Sequence, residues 1–396
     1  MTSRPANSDP ADLFSAEDYT LWCRRLNAHI PTDGSAAILF DSTISEPADL
    51  LRQVILEAFE SGISDRFVSV FGHGNRFLNE ALSTRYGVDP SQLVCATGAT
   101  TAITMALRIL PEDRRRVVIE APRLDLLHHL PQSQSLEIDE LPRRGDDFGI
   151  DPDDLRKLLR RGAGMVLLTN PHNPSGRVMP AQRLAQIADV AEEAGSLVLV
   201  DEVYSDLWRD AGFTSAVQIA PNMVSVNSLS KSFGLFSLRC GWIMAAPAVA
   251  RRIEAANTRI EFGASKVTHA LAAHVLQDMT RFDAYWRGVL RKNRPILEQA
   301  ITGMKADGLI EGDPPAAGCM YFPRITDVSD TQSLARQLWA DHRVLVGPGE
   351  YFGQPGHVRL GFGMADGRLG ASLGRLHEAL LAIRNTASGA TRRRAP

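Results

Sequence analysis

The chain has no uninterrupted apolar run approaching the ~18 residues that a membrane helix needs, so no membrane partner is expected. Its first ten residues, Met1 to Pro10, are polar and carry no apolar signal core, which points to a cytoplasmic protein. Cysteine is scarce. Cys23, Cys95, Cys240 and Cys319 stand far apart without C-x-x-C or His-Cys spacing, which argues against a disulfide framework and against a metal site. Neither sign of charge is in excess. A formal net charge of -3 with the signs mixed argues against nucleic acid or an anionic membrane as main partner, and the short basic runs 114–116 and 392–394 read as solvated faces. Internal repeats and low-complexity segments are also missing. What remains is 396 residues with 44% hydrophobic content, enough for a large core and two or three domains.

Strand and helix patterns alternate along most of the chain. Residues 1–10 read as disordered, and a short helix from Ala11 leads through Leu21 and Trp22 into the turn at 31–34. A short strand is expected at 38–40, and Pro47 opens a helix with Leu50, Leu51, Val54, Ile55 and Phe59 at helical spacing. Strands at 93–95, 117–120, 165–168 and 197–200, interleaved with helices, predict an α/β fold: a mostly parallel sheet flanked by helices. After Trp242 the pattern is helical over about 248–278 and again around 286–303. Strands at 318–322 and 344–346 about a helix at 331–341 suit a smaller α+β domain, and the polar, basic tail from Thr386 is expected to fray. The segment 71–77 is no dinucleotide fingerprint, because the third glycine and the preceding strand are missing.

Chemistry concentrates between Ser225 and Trp242. Two apolar runs, 223–226 and 241–244, are joined by a polar loop that sets Lys231 between Ser230 and Ser232, with Arg239 eight residues on. A lysine amine is nucleophilic only when deprotonated, and burial or a nearby cation lowers its pKa enough for a Schiff base with a carbonyl cofactor. Arg239 is the candidate cation, and with Ser228 it could also grip a dianionic phosphate through its planar fork. Taken alone, the same stretch could be a solvated lysine in a surface loop. Other polar residues fall just past strand ends, where ligands sit in open α/β sheets: Asn173 after 165–168, and Asp201 and Tyr204 after 197–200. The Gly98-Ala99-Thr100 turn opens a helix, whose free N–H groups bind phosphate without any side-chain charge.

The run Ser228 to Gly241 resembles the cofactor-lysine motif of class I/II aminotransferases, pyridoxal 5′-phosphate (PLP) enzymes of fold type I, and the likeness extends from about Phe71 to Phe362. The resemblance implies that Lys231 carries PLP as an internal aldimine, while the backbone of Ala99 and Thr100, with Ser228 and Arg239, holds its phosphate. It implies Asn173 and Tyr204 on the phenolic oxygen and Asp201 on the pyridine nitrogen, an opposite charge that keeps the ring protonated. Arg359, in the stretch 357–362, would fork onto the substrate α-carboxylate with Asn173 beside it. It also implies a homodimer and three segments: an arm and part of the small domain at 1–55, a PLP-binding domain at 56–280 and a C-terminal small domain at 281–396. Two departures stand out. Leu124 occupies the place of the ring-stacking aromatic, an interaction of ~1–3 kcal/mol for stacked bases, with Arg123 a candidate to lie over the ring instead. Phe71 or Val70 stands near the family's phosphate-binding tyrosine.

The expected reaction is transfer of an amino group from an α-amino acid to a 2-oxo acid by a ping-pong mechanism. A PLP-dependent lyase, decarboxylase or oxidase acting on an amino acid is the alternative, since the pocket decides the fate of the activated substrate. A DNA-binding regulator would need a helix-turn-helix module ahead of the fold, for which too few residues are present. His73, Arg76, Arg123 and Arg177 are candidates for a second clamp on a dicarboxylate.

Overall fold

Aliphatic runs bounded by turn residues build an eight-stranded sheet in the order Leu93–Ala96, Gly241–Met244, Met223–Ser228, Leu197–Asp201, Met165–Thr169, Arg116–Ala121, Glu137–Arg144 and Gly149–Ile150. The structure is a computed structural model and describes residues 14–31, 33–70, 74–260 and 263–394. The expected disorder at 1–10, the helix start at Ala11, and the readings of Phe71 and His73 lie outside the described residues. From Met223–Ser228 to Glu137–Arg144 all neighbours pair in parallel, as the strand-helix alternation predicts. Every residue of Met165–Thr169 is buried, because helices cover both faces of the sheet. Each such Val or Leu side chain contributes ~1.5–3 kcal/mol on leaving water.

One strand breaks the pattern in a useful way. Gly241–Met244 runs antiparallel to both neighbours, so Gly241 lies opposite Ser228 on one side and Ala96 on the other. The chain therefore returns to the edge at which the parallel strands end. Three loops far apart in sequence meet there.

Some expectations need correction. Glu137–Arg144 is a strand with no expected counterpart, because two of its inward positions are charged: Asp139 pairs with Arg116 at 3.2 Å and Arg143 with Glu120 at 2.6 Å. The pattern expected over 248–278 splits into Pro247–Asn257 and Lys266–Gln277, whereas Met279–Ala306 is one helix that carries Pro295 inside it. The tail does not fray at Thr386. Helix Leu369–Arg394 continues through it, seeded by Leu369, Leu373, Leu376 and Leu380 in the core and extended by alanine and arginine, which favour helix.

Both chain ends share a second core. Phe14, Trp22, Leu26 and Phe40 pack with Leu297, Ile301, Leu373 and Leu376, and Ala37–Ile38 pairs in parallel with Val344–Leu345. Beside them Val358–Gly361 pairs with Met320–Tyr321 and Gly347–Pro348, which places Arg359 against the sheet domain. Among the described residues, no helix is long and apolar enough to cross a membrane.

Candidate active site

At the carboxyl edge of the sheet a cavity of about 210 Å³ is lined by Ala99, Thr100, Asn173, Asp201, Tyr204, Ser228, Lys231 and Arg239, with Leu124 and Phe236 among its apolar walls. Eight of the nine site residues expected from sequence thus share one cavity. The ninth, Arg359, joins it through Asn173, whose Oδ1 accepts from Nη1 at 2.9 Å.

One end is built for an anion. Helix Ala99–Leu107 starts at Gly98 with no side chain capping it, so its first N–H groups point outward without a protein acceptor. Gly241 allows the approach, since a Cβ there would come within 2.5 Å of the Gly98 carbonyl carbon and 2.8 Å of Ala99 N. Arg239 lies across this end: a Cβ on Gly98 would stand 2.9 Å from its Nη2. Its backbone is left-handed, at φ 44°, a conformation uncommon outside glycine. The guanidinium stacks 4.8 Å over Phe236 and has no hydrogen-bond or ion-pair partner among the described residues. An unpaired arginine, the hydroxyls of Ser228 and Ser230 and a helix N-terminus fit a phosphate dianion.

At the end of Leu197–Asp201, Asp201 accepts from Val203 N–H at 3.1 Å. Burial pushes its carboxyl up to about 7, with Glu120 adding to the rise and Lys231 opposing it. A carboxylate held up in this way, with no ion pair among the described residues, fits a protonated ring nitrogen, which would restore its charge. Its neighbour Glu202 is structural: it is buried and accepts from Ser215 Oγ and Ala216 N, both at 2.6 Å.

Lys231 Nζ donates to Thr43 Oγ1 at 3.1 Å, and Tyr204 shares a 2.8 Å hydrogen bond with Ser42 Oγ. Burial disfavours the lysine charge, but Tyr204 and Asp41 outweigh it, and the amine is held above its ordinary value. The Tyr204 hydroxyl is itself raised, by burial first, with Lys231 and Arg359 opposing the rise. This corrects the expected role of Arg239 as the cation that lowers Lys231. Arg239 is turned to the anion end, and the arginine that opposes the lysine charge is Arg359.

Arg359 is buried, with its guanidinium 4.6 Å over the Tyr19 ring and 4.7 Å over Phe352. Its Nη2 donates to Phe40 O at 3.0 Å and to the Tyr19 hydroxyl, while Nε has no partner. Among the described residues no carboxylate pairs with it.

Sequence reasoning missed the groups that orient these. Glu120 is fully buried and accepts from Thr169 N and Oγ1 on one oxygen and from Arg143 on the other. Thr169 Oγ1 in turn accepts from Asn173 N at 3.1 Å, so a hydrogen-bonded chain runs from Glu120 to Arg359. The one available signal was a glutamate inside an aliphatic strand. Thr43, Ser42 and Tyr19 carried no motif. Arg123 does not lie over the cavity, because it pairs with Glu140 at 2.7 Å. Arg76 stacks on Phe77 and Arg177 donates to Asp313 O, so neither lines the cavity as a second clamp.

Capreomycidine synthase of Streptomyces vinaceus is 28% identical over 311 residues, covering 78% of this chain and 79% of that protein. A histidinol-phosphate aminotransferase of Anaeromyxobacter sp. (strain Fw109-5) is 26% identical over 318 residues, covering 78% and 83%. The solved structure of a PLP-dependent aminotransferase from Streptococcus suis 89-1591 is similar with a TM-score of 0.80 at 26% identity, covering 91% of this chain and 96% of that one. The model of the family described as aminotransferase class I and II matches residues 42–376, from the Ser42 that meets Tyr204 past the strand that carries Arg359. The chain therefore belongs to the class I and II aminotransferases, which are PLP-dependent enzymes.

Proposed function

We propose that this enzyme moves an amino group from an α-amino acid to a 2-oxo acid, both substrates using one site in turn. The observation that carries this reading is Arg359. A buried guanidinium with no anionic partner costs several kcal/mol, and stacking on two rings with a donor left over suits an arriving carboxylate. When bound, the cofactor supplies the electron sink that weakens the bond from the substrate α-carbon to its hydrogen. Lys231 Nζ is the covalent anchor and, once released, the base that takes this proton and returns it. Asp201 holds a positive ring nitrogen in place, and Tyr204 and Asn173 direct donors at the phenolic oxygen. Ala99, Thr100, Ser228 and Arg239 retain the phosphate.

Adding single amino acids to the loaded enzyme without an oxo acid tests the reaction. One equivalent of 2-oxo acid per site, with the cofactor converted to its amine form, is expected. Catalytic release of ammonia, carbon dioxide or peroxide would overturn it. A second reading, elimination from the amino acid, is favoured by one observation: Leu124 keeps that cavity wall free of an aromatic ring.

The active form in this reading is a cytoplasmic homodimer with two domains per subunit, the larger at 56–280 and the smaller from both chain ends. The shared core of residues 14–40 and 297–380 supports the division, and the four free thiols suit a reducing compartment. Phe236 is 61% exposed and also lines the cavity, which suits an apolar partner surface beside it. Sedimentation at assay concentration is expected to find a dimer; a fully active monomer would refute it.

A further inference from the structure

The segment from Phe40 to Thr43 touches three site groups. Phe40 O accepts from Arg359, Ser42 Oγ bonds Tyr204, and Thr43 Oγ1 accepts from Lys231 Nζ. It is held against the strand that carries Arg359, since a Cβ on Gly361 would come within 1.7 Å of Asp41 O. Between these contacts stands Asp41, the one exposed residue of the four. Its Oδ1 accepts from Thr43 N at 2.9 Å, which folds the carboxylate to the side of the residue that meets Lys231. Among the described residues no cation pairs with it and its second oxygen has no partner. Its field is nonetheless felt at both Lys231 and Arg359, whose charged forms it favours.

We propose that Asp41 is a side-chain subsite that selects amino acids ending in a cation, a guanidinium or an ammonium. The inference rests on the reading that Arg359 takes the α-carboxylate and Lys231 works at the α-carbon. A substrate fixed by those two groups lies beside the Phe40–Thr43 segment. A long side chain leaving towards solvent then meets a free carboxylate oxygen, and its aliphatic stem can lie on the apolar side chains that line the cavity. A charge-assisted hydrogen bond from a guanidinium or ammonium satisfies that oxygen. An acidic side chain meets repulsion from the same carboxylate instead.

The test uses the PLP-loaded enzyme and Asp41→Asn. This variant removes the charge but keeps an oxygen for Thr43 N, and the exposed position makes misfolding no concern. Half-saturation is read from the change in the cofactor spectrum on adding arginine, lysine, norleucine or glutamate, so the answer does not depend on which product forms. The wild-type enzyme is expected to favour arginine and lysine over norleucine, and D41N to reduce that ratio about tenfold, the size of one hydrogen bond to a charged group. The ratio in the wild-type enzyme should also shrink as ionic strength rises. An unchanged ratio in D41N, or a wild-type preference for glutamate, overturns the assignment of Asp41 and leaves the proposed function standing. If no amino acid perturbs the spectrum, both fall together.

Discussion

Replacing Lys231 by alanine is expected to abolish turnover and the visible absorbance of the loaded enzyme together. The two losses share a cause, because in the proposed function one nitrogen serves both as covalent anchor and as the proton carrier at the substrate α-carbon. Removing a group that plays both parts costs on the order of 10⁴ to 10⁶ in rate. The fold should survive. Among the described residues Lys231 makes one side-chain hydrogen bond, to Thr43 at 3.1 Å, and the loop around it is fixed by backbone bonds such as Leu229 N to Cys240 O at 3.1 Å. Melting temperature without cofactor should therefore match that of the parent. A K231A enzyme that turns over normally would refute the assignment, whatever its colour.

The second large effect is expected at Arg359. Lysine keeps the charge but cannot reproduce the planar fork that reaches Asn173 Oδ1 and Phe40 O while stacking between Tyr19 and Phe352. Two hydrogen bonds to a charged group, each worth ~1.5–3 kcal/mol, correspond to a loss of roughly 10² to 10⁴ in kcat/KM for R359K. Most of it should appear in KM, since in the proposed function the carboxylate is clamped before the proton moves. Simple amines without a carboxylate serve as the control and should lose little. Equal KM values for α-amino acids in both enzymes would show that the carboxylate binds elsewhere.

These residues were legible because each belongs to a short stretch in which backbone direction and chemistry are set together. The polar residue after a buried aliphatic strand is such a place, and Asp201 and Asn173 were found that way. Lys231 and Arg239 share one loop, so their spacing could be read, but the fold of that loop could not. Arg239 in a left-handed conformation swings away from the lysine and onto Gly98, whereas Arg359 arrives from a strand 128 positions later, the difference 359 − 231. No local pattern reports such a meeting. Thr43 and Ser42 were missed for the same reason: a hydroxyl in an irregular segment acquires meaning only from what packs across from it. Glu137–Arg144 was hidden because ion pairs replaced apolar residues at two inward positions.

The antiparallel strand at 241–244 has a consequence for the order of folding. Leu93–Ala96 is an outer strand whose one neighbour in the sheet is Gly241–Met244. During synthesis it has nothing to pair with until residues 145 positions further on, 241 − 96, have been made. At ~5–20 residues per second that wait lasts roughly 7 to 30 seconds. Helix Ala99–Leu107 waits with it, because Gly241 supplies the surface on which its first turn rests. A nascent chain can therefore pair the parallel centre of its sheet first, yet the proposed phosphate cradle is incomplete until the last strand of that sheet slides in. In the proposed function, ligand capture waits for closure of the sheet, so stabilisation by the ligand reaches only chains in which that strand is in place.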